Sequence, residues 1–316
     1  MNAIDKKIKE WTEYRPDLTA QPDLGVFWEE KLQHFKQKPL NVVRERVETP
    51  FPLMETYRLT YEGFDDTPIH GWYLLPPGKR EQVPCVVLFH GYTGGKGFPE
   101  KYAQWLLAGI AVLAVDVRGQ SGETGNRLAQ SHGMSKGWMT QNILDKHSCY
   151  YMAITVDALK AVEAAAAQPE VDQAKIAVVG ASQGGGLSLI ASALGGTHSL
   201  AVADIPNMCH MDLGIFNSVS SLKEAADYVR QFPEHLEPVL ETLSYFDMLN
   251  LADRIRIPVL VSVGLKDPVC MPETVFAAYN RIESEKLLYT YPFHGHETGG
   301  RQNRRMFEFI RGHWAL

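Results

Sequence analysis

Five short apolar runs rich in valine, isoleucine and leucine limit what this chain can fold into: PCVVLFHG (84–91), IAVLAVDVRG (110–119), KIAVVG (175–180), SLAVADIP (199–206) and PVLVSVG (258–264). Near-continuous apolarity at that length suits strands buried on both faces. LLYTYP (287–292) adds a sixth. Helical stretches separate them, at 99–109, 143–168, 185–196 and 272–284. Strand, helix, strand repeated in this way predicts an α/β fold with a mostly parallel, doubly wound sheet. Three earlier segments, VVRERVE (42–48), ETYRLTYEG (55–63) and IHGWYLLPP (69–77), read as antiparallel strands at one edge, the second by its alternation of polar and apolar residues. The first forty residues read as amphipathic helix, with Trp11, Phe27, Trp28 and Phe35 available for packing.

Between Pro206 and Pro258 the chain makes an excursion of about fifty residues, far longer than a simple crossover needs. It predicts a helical cap over 207–256. With no internal repeat or composition break, the expectation is one domain over 1–316, carrying an N-terminal helical and strand extension (1–80) and that cap. A net charge of −6 and the lack of a face-sized basic cluster exclude a nucleic-acid partner. The basic stretch NRRMFEFIRGHW (303–314) has apolar residues at helical spacing and reads as a C-terminal helix with a solvated basic face. The charged start, MNAIDKKIKEWTEYRPDL, has no apolar core for a secretory signal, and no run is long enough to span a membrane. Cys85, Cys149, Cys209 and Cys270 are widely spaced without a C-x-x-C pair, which points to reduced thiols, a cytoplasmic location and no zinc site.

Chemistry concentrates at VVGASQGGGLSL (178–189). Gly180-Ala181-Ser182-Gln183-Gly184 fits G-x-S-x-G, with a buried strand before the serine and a helix after it. That is the setting of a nucleophile elbow, in which small neighbours let a strained turn pack and the helix N-terminus favours developing negative charge. No lysine follows the glycines, so a phosphate-binding loop does not fit. A serine needs a base and a carboxylate, which in α/β-hydrolases follow it in the order acid, then histidine. Asp267 stands in the loop after PVLVSVG and is preferred over Asp204, Asp247 and Asp253. FHGHETGG (293–300) offers His294 and His296, and composition does not separate them. A metal-binding reading of this His-x-His lacks an accompanying ligand cluster. The oxyanion hole would take the backbone N–H groups of Gln183 and, from the glycine-rich loop LFHGYTGGKG (88–97), of Tyr92; His90 would shape that loop.

These motifs resemble the acetyl xylan esterase/cephalosporin-C deacetylase family, carbohydrate esterase family seven, over essentially the whole chain. The family's three signatures stand here as Arg118-Gly119-Gln120, Gly180-Ala181-Ser182-Gln183-Gly184 and His296-Glu297, with shared stretches such as GWMT, ILDK, TLSYFD and TVFAAYN. The resemblance implies a Ser182–Asp267–His296 triad and selects His296 over His294. Tyr92 and Gln183 would be the oxyanion donors, with Arg118 tying neighbouring loops to the nucleophile region. It also implies an intracellular, cofactor-free hydrolase that removes acetyl groups from acetylated xylo-oligosaccharides and cephalosporin C, assembled as a homohexamer. The chain departs from the pattern at Met152, where arginine is usual, and Met271, where proline is expected; the segment 121–137 also varies. Alternatives are a general short-chain carboxylesterase, a thioesterase or lactonase, a serine peptidase of the prolyl-oligopeptidase type, and a catalytically silent scaffold.

Overall fold

The computed structural model describes residues 1–78 and 82–316, so the expected end of the N-terminal extension at residue 80 lies outside it. The first forty residues form two helices, α1 (Ala3–Glu13) and α2 (Leu24–Lys36), joined by a non-helical segment. Trp11, Phe27 and Trp28 are buried, while Phe35 is half-buried against Phe64. Three strands follow, β1 (Val43–Val47), β2 (Glu55–Glu62) and β3 (Pro68–Leu75), and then the alternating part: β4 (Val83–Phe89), α3 (Ala103–Leu107), β5 (Ala111–Val115), α4 (Tyr150–Ala166), β6 (Val171–Ala181), α5 (Gln183–Leu194) and β7 (Leu200–Asp204). The excursion carries α6 (Met211–Asn217), α7 (Ser221–Gln231), α8 (Leu236–Ser244) and α9 (Met248–Leu251). The chain closes with β8 (Val259–Gly264), α10 (Pro272–Tyr279), β9 (Lys286–Tyr291) and α11 (Gly300–Trp314).

Among the described residues, nine strands make one sheet in the order β1-β2-β3-β5-β4-β6-β7-β8-β9. Pairing is antiparallel from β1 through β3 to β5 and parallel from β5 onward, the arrangement of the α/β-hydrolase fold. Alternate residues of the central strands serve the two faces. Cys85, Val87, Leu113, Val178 and Val261 join the core under α4, α5 and α10, while Val86, Val112, Ala177 and Leu260 join a second core under α3 and α11. Residues apolar in both registers therefore fill β4 to β8. The last strand differs from its expected burial, since β9 lies at the sheet edge and is mostly half-buried.

A second difference concerns the helix expected from residue 143. It begins only at Tyr150, because the Asp145 carboxylate accepts from the His147 N–H (2.9 Å) and the Ser148 hydroxyl (2.6 Å), holding a turn instead. Met152 is fully buried in α4, and Met271 is the half-buried residue just before α10. All four cysteines are buried free thiols. Among the described residues, no helix is long and apolar enough to cross a membrane.

Candidate active site

The elbow forms where β6 runs directly into α5. Ser182 adopts φ 58° and ψ −122°, an unusual backbone for a residue with a side chain. Its neighbours show why glycine is required. A Cβ at Gly180 would sit 2.3 Å from the Gly184 carbonyl carbon, and one at Gly184 would sit 2.0 Å from the Phe89 oxygen. The turn is pinned to the end of β7: the Ser182 N–H donates to the Asp204 carbonyl (2.9 Å), and the Asn207 N–H donates to the Ser182 carbonyl (2.9 Å).

Asp267 lies in the turn after β8 and is 3% exposed. Its Oδ1 accepts from the Val269 (2.8 Å) and Cys270 (3.0 Å) N–H groups, leaving Oδ2 for His296 Nδ1 at 2.8 Å. His296 Nε2 is 2.9 Å from Ser182 Oγ. A carboxylate only accepts, so Nδ1 carries the proton and Nε2 is free to accept from the serine hydroxyl. His294 makes neither contact; its carbonyl accepts from the Lys266 N–H and its ring packs on Tyr291. Three segments far apart in sequence thus bring their groups together at the carboxyl ends of β6 and β8 and beyond β9.

The Gln183 N–H is the first of α5, where a helix has no internal acceptor to offer. Neither it nor the Tyr92 N–H donates a hydrogen bond among the described residues. The loop after β4 closes on the elbow, since a Cβ at Gly91 would stand 3.7 Å from Ser182 Cβ. His90 holds that loop with both ring nitrogens. Nδ1 donates to the Gly91 carbonyl (2.8 Å), and Nε2 accepts from the Val117 N–H (2.9 Å). Burial lowers its pKa, which keeps that acceptor in place.

Residues 1–313 match the family model described as acetyl xylan esterase (AXE1). The chain belongs to the acetyl xylan esterase family. Two solved structures resemble this esterase along nearly its whole length. The acetyl xylan esterase from Paenibacillus sp. R4 is 38% identical, with 96% of this chain and 99% of that one covered and a TM-score of 0.93. Acetyl xylan esterase 1 from Thermoanaerobacterium sp. JW/SL YS485 is 30% identical, with 96% and 97% covered and a TM-score of 0.90. Acetyl esterase Axe7A of Xylanibacter ruminicola is 26% identical over 297 residues, which are 92% of this chain and 66% of that longer protein.

Within the esterase, the Arg-Gly-Gln stretch divides its work. Arg118 is fully buried and grips Asp157 of α4 through Nε (2.6 Å) and Nη2 (2.8 Å), and Asp65 of the β2–β3 turn through Nη1 (2.7 Å). Burial alone would lower its pKa, but the two carboxylates outweigh that and raise it. Gly119 turns the chain at φ 72°. Gln120 then makes the link to the nucleophile region that was expected of Arg118: its Nε2 donates to Gln183 Oε1 (2.9 Å) and to the Tyr150 hydroxyl (2.9 Å). Glu297 is exposed, and its side chain makes no hydrogen bond or ion pair among the described residues.

Two residues near the site were not singled out in the sequence. Glu224 of α7 accepts from the Tyr92 hydroxyl at 2.7 Å, and that same hydroxyl accepts from the Trp138 N–H at 2.8 Å. Burial raises the Glu224 pKa. Glycine at 137 leaves the carboxyl its space, because a Cβ there would fall 2.1 Å from Glu224 Oε2. Cys270 is the second, buried beside the Asp267 turn. A cavity of about 830 Å³ lies between residues 14–19 and the helices α6 to α8, and none of Ser182, Asp267 and His296 lines it.

Proposed function

We propose that this esterase removes acetyl groups from small acetylated carbohydrates and related esters, cephalosporin C among them, through an acetyl-serine intermediate. The observation that carries this reading is the unbroken relay Asp267–His296–Ser182, with links of 2.8 and 2.9 Å. In the first half-reaction His296 Nε2 takes the Ser182 proton as Oγ bonds to the acetyl carbonyl carbon. The Gln183 and Tyr92 N–H groups receive the carbonyl oxygen as it gains charge. The carbon–oxygen bond to the alcohol then breaks, and His296 returns its proton to the departing oxygen. Water repeats the sequence on the acetyl-enzyme, releasing acetate and restoring the Ser182 hydroxyl. Asp267 holds the imidazole in its tautomer throughout.

Ser182→Ala is expected to lower the turnover of p-nitrophenyl acetate by about 10⁴-fold or more while leaving thermal unfolding unchanged. Wild-type turnover in that variant would end the serine reading. Rates across p-nitrophenyl esters of rising chain length, beside acetylated xylose and cephalosporin C, test the substrate. A steep fall after acetyl supports deacetylation, and a rise toward butyrate favours a general carboxylesterase. We propose too that the chain self-associates as a hexamer, a reading supported by the family resemblance and by Phe216, an 86% exposed phenylalanine at the rim of the cap cavity. Sedimentation as a monomer at micromolar concentration would overturn it.

A further inference from the structure

The turn that holds Asp267 also places a sulfur against the triad. Ligand-capable atoms of Asp267, Cys270 and His296 all lie within 4.8 Å of one another. Cys270 itself is 2% exposed and stands beside that carboxylate and imidazole. Its backbone N–H is bonded to Asp267 Oδ1, so one short turn fixes both the carboxylate and the sulfur. We propose that the active site is also an inhibitory site for a thiophilic divalent cation of the Zn²⁺ class, bound by Cys270 Sγ and His296 Nε2.

The donor set is the reason for naming that class. Sulfur and imidazole together select Zn²⁺ and its heavier relative Cd²⁺ over Mg²⁺ or Ca²⁺, which prefer oxygen. Tetrahedral Zn²⁺ with ordinary bond lengths spaces sulfur and nitrogen by roughly 3.5 Å, and Cys270 Sγ already stands within 4.8 Å of a ring nitrogen of His296. Asp267 already accepts from His296 Nδ1, and a carboxylate behind the imidazole is the usual outer partner of a metal-bound histidine. Charge closes as well, since a thiolate and the carboxylate together offset a dication. The thiol proton leaves to solvent as the sulfur–metal bond forms, and no oxidation is involved.

Access is from the substrate side. Ser182 is half-buried and the His296 side chain is 27% exposed, while Cys270 is 2% exposed and lies deeper. A cation there occupies the lone pair that would take the serine proton, so it stops acylation and competes with the ester. The sequence spacing concealed this cluster, because its cysteine and histidine come from loops after different strands.

The inhibition half of this inference rests on the serine reading; cation binding does not. It is therefore tested first without substrate, by titrating the whole protein with Cd²⁺ and recording the ultraviolet sulfur-to-metal charge-transfer band. Zn²⁺ inhibition of p-nitrophenyl acetate hydrolysis is then measured, each variant scored against its own metal-free rate. The wild-type protein should show the band and lose activity, with EDTA restoring it. Cys270→Thr, or Cys270→Ser if threonine does not fold, should lose the band and need more than about 100-fold higher Zn²⁺, since loss of an outer partner alone costs up to that much. Cys85→Ala and Cys149→Ala should behave as wild type. Prior reaction of Ser182 with an organophosphonate should block the band. Retention of the band or of the Zn²⁺ sensitivity in both Cys270 variants would overturn the proposal, as would its loss in either remote cysteine variant.

Discussion

The carboxyl ends of β7 and β8 lie side by side and each bears a buried aspartate, yet the two are built for different ends. Asp267, after β8, has two backbone N–H groups on one oxygen and an imidazole on the other. Asp204, at the end of β7, has both its partners on a single oxygen: the Ser262 hydroxyl at 2.8 Å and the Gln302 amide at 2.6 Å. Burial pushes the Asp204 carboxyl up from 3.8 to about 6, and those two neutral partners pull it only partly back. It also lines a cavity of about 230 Å³ with His90, Gly180 and Ala181, behind the elbow whose N–H its backbone accepts. Placing a carboxylate at a strand end is therefore not enough to set it against a histidine. The fixed donors on one oxygen and the histidine on the other distinguish Asp267.

Breaking that distinction has its largest effect on rate. Asp267→Asn presents an amide to Nδ1, permits the wrong imidazole tautomer, and is expected to lower kcat on p-nitrophenyl acetate by about 10⁴-fold. Asp204→Asn, measured alongside, should stay within about tenfold of wild type, because Asp204 meets Ser182 through its backbone carbonyl. Equal losses in the two variants would remove the contrast.

The next effect is on stability. The folded chain holds the Asp204 proton more tightly than the unfolded chain does. Its contribution to stability is therefore fully present below about pH 4 and is lost as pH rises through about 6. The difference in carboxyl affinity corresponds to up to about 3 kcal/mol. Urea unfolding of wild type and Asp204→Asn across that interval should show the variant gaining relative to wild type as pH increases. A constant difference would mean that Asp204 does not titrate there. The smallest effect sharpens the picture. Ser262→Ala removes one of the two partners, should cost about 1–2 kcal/mol at neutral pH, and should move the upper end of the Asp204 slope to higher pH.

The same strand ends show how far the sequence could be read. All nine strands are visible as apolar or alternating runs, because an inner strand of a covered sheet must be apolar in both registers. The elbow is equally legible, since its strained turn demands glycine at fixed offsets from Ser182. Asp267 and His296 were reachable through chain order and family signature, although composition alone left His294 open. What stayed hidden depends on contacts between distant segments. Glu224 meets Tyr92 across 132 positions, and Asp157 meets Arg118 across 39. Nothing in a glutamate on an amphipathic helix tells which loop it will hold. The delayed start of α4 at Tyr150 was missed for a local reason, the capture of the preceding turn by the Asp145 side chain.

The bond from Glu224 to Tyr92 makes the helical excursion and the loop after β4 one inheritance unit. Residues 207–256 cannot be exchanged between relatives on their own, because the exchanged segment carries the acceptor of the Tyr92 hydroxyl. A graft must bring a glutamate at the equivalent turn of α7, together with the glycine at 137 that leaves it room, or the recipient's loop after β4 will lose the partner of its tyrosine.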